Sequence, residues 1–187
     1  YNSNYRFPPP PKKPTMTAVP GDGKVTLYWD RVAEESLDPV TKEKDFQGYK
    51  IYRATDPNFN DVRNITDANG LIQGYSTLAQ FDKNDDIKGY FYPSKNLFQD
   101  TKGYSYYLGD DSGLIHSYLD NDVQNGRTYY YALVAYDHGD EEKDIFPSEN
   151  SKFISVLPTG QIITDQNTAY ITPSSSAAGY SLNDTIK

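Results

Sequence analysis

The sequence predicts an all-β fold, a β-sandwich built from short strands. Three observations carry that expectation. Apolar and aromatic residues alternate with polar ones over short runs such as "KVTLYWD" and "TYYYALVAYD". The 13 glycines and 12 prolines cut the chain into short pieces with turn chemistry between them. No long window carries apolar residues at the spacing of a helix face. Hydrophobic residues make up only 36% of the chain, but the 18 tyrosines supply large buried rings whose hydroxyls still seek partners.

The elements follow in order. Residues 1–14, "YNSNYRFPPPPKKP", read as a proline-rich arm or linker, with polyproline II favoured at Pro8–Pro11 and Tyr1, Tyr5 and Phe7 as possible anchors. "TMTAVPGDGKVTLYWD" reads as strand, turn, strand, with Val25, Leu27 and Trp29 on the core face and Thr26 and Tyr28 on the other. A charged loop leads to "FQGYKIYRA", where Tyr49 and Ile51 oppose Lys50 and Tyr52. Residues 128–137 place Tyr129, Tyr131, Leu133 and Ala135 on one face and Tyr130, Ala132, Val134 and Tyr136 on the other. "SKFISVL" at 151–157 closes the set.

The motifs "KVTLYW", "GYKIYR", "NGRTYYYALVAYD" and "PSENSKFISV", in that order, resemble a fibronectin type III domain, an immunoglobulin-like β-sandwich. Val123 followed by Tyr129 matches the family's tyrosine corner, in which the phenol bonds back to the loop backbone. The resemblance covers residues 15–54 and 118–157 and is closest to modules of large secreted bacterial surface proteins. It implies an extracellular setting.

The domain expected on this basis spans 15–157, with a large insertion at about 55–117 where a family member needs only a short connection. The strand-like pieces "GYSTLAQFD", "GYFYP" and "GYSYYLGD" make the insertion a set of hairpins packed on one side of the sandwich. It would bury the second face of the tyrosine strand. Five Gly-Tyr dipeptides, at 48, 74, 89, 103 and 179, read as turn-then-strand punctuation. Residues 158–187 form a C-terminal extension with strand-like "QIIT" and "TAYIT", left over beyond a complete sandwich and free to pair with a neighbour.

The net charge of −8 argues against nucleic acid, which is bound through Lys and Arg, and is compatible with divalent cations. Without cysteine there are no disulfides and no thiolate metal sites. No apolar run reaches the roughly 18 residues of a membrane-spanning helix. The chain opens at Tyr1 without an initiator Met, as expected of a processed or excised segment.

The only histidines, His116 and His138, stand in no recognisable triad context, and no catalytic constellation emerges, so an enzyme is not expected. Calcium, which takes six to eight oxygens, has candidate ligands in three acidic loops. Asp82, Asn84 and Asp86 alternate in "DKNDDIKG", without the Gly and Glu positions of an EF-hand; Asp110 and Asp111 stand in "LGDDSG", Asp120 and Asp122 in "LDNDVQNG". Each loop also reads as an ordinary solvated turn. Tyr28, Tyr52, Tyr130 and Tyr136, on the outer faces, could stack on sugar rings unless the insertion covers them. Asn64 and Asn183 fit the N-glycosylation pattern.

The leading expectation is an extracellular structural or adhesive module that acts by protein–protein contact, as the subunit of a self-assembling surface filament joined through its terminal arms. The alternative is a carbohydrate-binding accessory module of a larger secreted enzyme or surface protein.

Overall fold

A computed structural model describes residues 8–39, 42–66, 70–92, 105–143 and 145–175. It is all-β and antiparallel; among the described residues the one helical piece is a 3-10 turn at Asn60–Val62. Two sheets face each other. The first has the order β1 (Met16–Gly21), β2 (Lys24–Trp29), β9 (Ser117–Asp120). The second has the order β13 (Thr168–Ile171), β10 (Tyr129–Asp137), β3 (Phe46–Ala54), β6 (Ala79–Asp82).

The β1–β2 hairpin turns on Asp22-Gly23, with Gly21 opposite Lys24 and Gly23 at φ 62°. A two-residue loop of this kind matches the twist of the strands it joins. Asn125 holds the turn from outside: Oδ1 accepts the Gly23 N–H at 2.8 Å and Nδ2 donates to Asp22 at 2.6 Å. Alternation then sends Val25, Leu27 and Trp29 inward against Tyr49, Ile51, Tyr131 and Leu133 of the second sheet. Trp29 meets Tyr49 edge-on, ring centres 5.9 Å apart, and stacks on Phe81 at 6.2 Å.

The second face of β3 and β10 is buried as well. Tyr52, Ala132 and Val134 pack under Phe59, Tyr75 and Ile154, and Tyr136 packs under Phe91, Tyr106 and Leu108. The cover comes from two sources. The insertion supplies the hairpins β4 (Ile65–Thr66) with β5 (Ile72–Gly74) and β7 (Gly89–Phe91) with β8 (Tyr106–Gly109). The connection after β10 supplies Phe146 and the hairpin of β11 (Ile154–Val156) with β12 (Ile162–Thr164).

Three sequence expectations change. "SKFISVL" does not close the sandwich: β11 pairs with β12, and "TAYI", expected to be left over, pairs with β10 as β13, Tyr129 opposite Ile171. Asn167 fixes this choice, because its Nδ2 donates to the Leu133 carbonyl at 2.8 Å while its own carbonyl accepts the Leu133 N–H. The proline arm, over residues 8–14, lies on its own chain. Pro11 and Pro14 are buried, Lys12 N–H donates to Ser36 Oγ at 2.6 Å, and Lys13 pairs with Asp165. The anchors Tyr1, Tyr5 and Phe7 lie outside the described residues. Gly48, finally, sits inside β3 rather than at a turn, where a Cβ would meet Tyr136 Oη at 2.8 Å.

Candidate functional site

The outward side chains of β3 are Lys50 and Tyr52. Register sets Lys50 between Gln80 of β6 and Val134 of β10. A long charged side chain at the centre of a sheet is costly when the sheet is covered, and here it is covered. Lys50 is only 6% exposed. Tyr106 of β8 and Phe146 close over it, and a cavity of about 400 Å³ remains, walled by Tyr52, Tyr75, Tyr90, Tyr106 and Tyr107. That volume lies within the range of ligand pockets, and aromatic walls with a few convergent polar groups are their common make-up.

The polar groups converge on Glu149. An isolated bridge between Tyr136 and Glu149 brings this residue alongside β10. Its carboxylate accepts the Tyr52 hydroxyl at 3.0 Å and the Tyr106 hydroxyl at 2.8 Å. Lys152 Nζ stands 3.6 Å away and Lys50 Nζ 4.0 Å. The Lys50 ammonium rests 3.5 Å from the centre of the Tyr106 ring and 4.8 Å from that of Tyr136, both favourable cation–π contacts. Among the described residues it has no conventional hydrogen-bond acceptor. Burial pushes its pKa down to about 8; Glu149 opposes that shift and Lys152 adds to it. Lys152 is also lowered, chiefly by burial, and lies over the Tyr75 ring at 3.7 Å. Burial, and then the Glu149 charge, raise the Tyr106 phenol well above its ordinary range, so it stays a neutral donor.

At the floor, Gln80 Nε2 donates to Tyr136 Oη at 2.7 Å and Tyr136 Oη donates to the Leu108 carbonyl. Tyr90 and Tyr107 form a tilted pair at the rim, ring centres 5.1 Å apart, with Tyr90 half exposed. Glu149 stands between two ammoniums, of which Lys50 lines the cavity itself.

The carboxylates of the three acidic loops offered for calcium bond to neighbouring turns and side chains. Asp82 is buried and accepts Asp111 N–H at 2.7 Å and both Ser112 N–H and Oγ–H. Asp111 accepts Asp85 and Asp86 N–H and pairs with Lys88 at 2.6 Å. These bonds interlock the 82–89 and 109–113 turns. Asn84 and Asp86 are exposed, and Asp110 is exposed and bonded to Tyr107, which raises that phenol to about 12. Asp120 is buried against Arg53 at 2.9 Å and Tyr131 Oη at 2.7 Å; Asp122 holds the other Arg53 nitrogen at 2.9 Å. Among the described residues no three His, Asp or Glu side chains gather as a metal site would require.

The four tyrosines expected at a glycan surface separate. Tyr136 and Tyr52 are buried at 0% and 2% exposure, because the hairpins and the 146–154 segment cover them. Neither offers a flat open face, although Tyr52 lines the pocket. Tyr130 is half-buried against the second cluster, and Tyr28 is exposed on the far sheet. Asn64 is exposed, with its side-chain oxygen accepting from Ser76; Asn183 lies outside the described residues. His116 pairs with Glu34, which also accepts the Tyr49 hydroxyl at 3.2 Å, and His138 bonds the neighbouring Gly139 carbonyl.

Lys50, Gln80, Tyr75, Tyr90, Tyr106, Tyr107 and Glu149 were not singled out as site residues from sequence. The one available signal was a lysine inside "GYKIYR", a strand otherwise aromatic and apolar. A second cavity, of about 370 Å³, lies around Arg53, Asp122 and Arg127, but Arg53 is already consumed by Asp120 and Asp122. Comparison with protein-family profiles, curated proteins and solved structures gives no match for this chain.

Proposed function

We propose that the chain is a fibronectin type III-like module of a secreted bacterial surface protein or enzyme, and that it recognises carbohydrate through the Lys50 pocket. The family reading is supported by the three-strand and four-strand sheets in the order β1-β2-β9 and β13-β10-β3-β6. It is also supported by Tyr129, whose Oη accepts the Gln124 N–H at 2.9 Å, as a tyrosine corner does. The observation that carries the ligand reading is a buried ammonium without a hydrogen-bond acceptor among the described residues, enclosed by tyrosines. A charged group kept in a cleft at the cost of desolvation is a functional-site candidate. Sugar C–H faces stack on the Tyr90 and Tyr107 rings, and hydroxyls find Gln80 and Lys50. A glycan array tests this. Binding of at least one glycan class, lost on Tyr90→Ala, is the expected result; an array without signal counts against it.

A second reading is protein–protein contact. Phe153, Val156, Ile163 and Tyr170, on or beside β11, β12 and β13, are all more than two-fifths exposed. Exposed apolar side chains along one hairpin and an edge strand suit a neighbouring module or a second copy. Sedimentation over a wide concentration range, with Phe153→Ser and Ile163→Ser as the control, separates self-association from a monomer.

A further inference from the structure

The pocket is lined by a buried ammonium. We propose that its ligand is an acidic sugar, a uronic acid residue whose carboxylate pairs with the Lys50 ammonium while its ring lies on the rim tyrosines. The inference rests on the carbohydrate reading above and narrows it to one class of sugar.

Charge bookkeeping within the cavity leads there. Among the described residues Glu149 is the only carboxylate lining it, and that carboxylate is already engaged by the Tyr52 and Tyr106 hydroxyls and by Lys152. Lys50 is close enough to feel Glu149 but too far, at 4.0 Å, to hydrogen-bond it. Among the described residues none accepts its N–H donors, and Lys50 lines the cavity. An incoming cation would meet the Lys50 ammonium at the wall. A neutral ligand would leave the Lys50 ammonium desolvated, with only Glu149 at 4.0 Å and two tyrosine rings against it, which is a costly arrangement. A carboxylate removes that cost, and in a site of low polarity such a charge-assisted bond is strong. The cavity, at about 400 Å³, has room for a sugar residue and is too small for a folded partner.

The groups facing Lys50 are Glu149, Lys152 and the phenols of Tyr52, Tyr106 and Tyr136. Tyr106 and Tyr136 are both raised by burial and stay neutral through the working range. Lys50 loses its proton near pH 8, so uronate affinity is full below that pH and falls above it.

The experiment is isothermal titration calorimetry of the full chain with galacturonate and glucuronate oligosaccharides, beside their neutral galactose and glucose counterparts, at pH 6.5 and pH 9.5. The expected result is at least a tenfold preference for the acidic sugars at the lower pH, reduced at least tenfold at the higher pH and abolished in Lys50→Met. Equal affinity for acidic and neutral sugars overturns the inference and leaves the carbohydrate reading standing. Acid preference that persists in a folded Lys50→Met protein, with its pH dependence intact, also overturns it. Absence of binding to every sugar overturns both. If Lys50→Met does not fold, the pH dependence of the wild-type chain decides alone.

Discussion

The Lys50 ammonium lies 3.5 Å above the Tyr106 ring and 4.0 Å from Glu149, held by π-electrons and a distant charge rather than by a hydrogen bond. A strand lysine in that position weakens the fold, and the weakness can be measured. Burial holds its pKa near 8, below the ordinary 10.5 of the unfolded chain. Between those values the unfolded chain binds more protons than the folded one, so stability rises with pH. Lys50→Met should flatten that rise and be at least as stable as the wild type at pH 7. Urea melts at pH 7 and pH 9 check it; a variant clearly weaker at pH 7 would mean that the cation–π contacts outweigh the desolvation.

Asp137 gives a pH dependence of the opposite sense. It is buried at the end of β10, and burial raises its pKa to about 6, despite donation from Ser148 Oγ, Ser148 N–H and Gly139 N–H. A raised carboxyl pKa gives stability that is present below about pH 4 and lost as pH rises through 6, in total about 3 kcal/mol. The stability difference between Asp137→Asn and wild type should shift in the variant's favour by about that amount from pH 4 to pH 7. Denaturant melts at the two pH values read it, and a constant difference would contradict it.

Arg53, Asp120 and Tyr131 join the two sheets near the end of β9. Asp120 is 2% exposed and accepts from both partners. Asp120→Ala leaves the guanidinium with Asp122 alone and the Tyr131 phenol unsatisfied, at a cost of about 3 kcal/mol. Tyr131→Phe removes one hydrogen bond and strands only part of the carboxylate's capacity, at about 1–3 kcal/mol. Urea unfolding of the two variants should rank them in that order.

Two glycines are set by close approach. At Gly48 a Cβ would strike the Phe81 carbonyl and Tyr136 Oη, and at Gly109, with φ 134°, it would strike the Asp82 carboxylate. Alanine at either site should cost about 1–3 kcal/mol through forced backbone shifts. Gly48→Ala should also disturb the floor of the pocket, visible as altered near-ultraviolet circular dichroism from the Tyr136 environment.

Much of the frame was legible in the sequence because alternation has one physical meaning in a strand. Val25, Leu27 and Trp29 had to share a face, and tyrosines on both faces of β10 required cover on both sides. Pairing was less legible. "SKFISVL" and "TAYIT" look alike as strands, and the choice of which joins β10 depends on Asn167 capturing the Leu133 backbone, a contact across distant sequence. The site was least legible. Lys50 reads as an outward, solvated lysine until the hairpins of the insertion and the segment around Glu149 close over it. Tyr52 and Tyr136 were offered for sugar stacking only if the insertion left their face open, and the closure covers it. The acids of the loops were visible, but not that Ser112, Lys88 and Arg53 would engage Asp82, Asp111 and Asp120.

The most direct test of the pocket is backbone amide NMR during titration with an acidic oligosaccharide. Shifts confined to Tyr75, Gln80, Tyr90, Tyr106, Tyr107 and Glu149 are the predicted outcome. Shifts centred instead on Tyr28 and the exposed face of β2 and β9 would place the ligand on the opposite sheet and contradict the Lys50 pocket as the binding site.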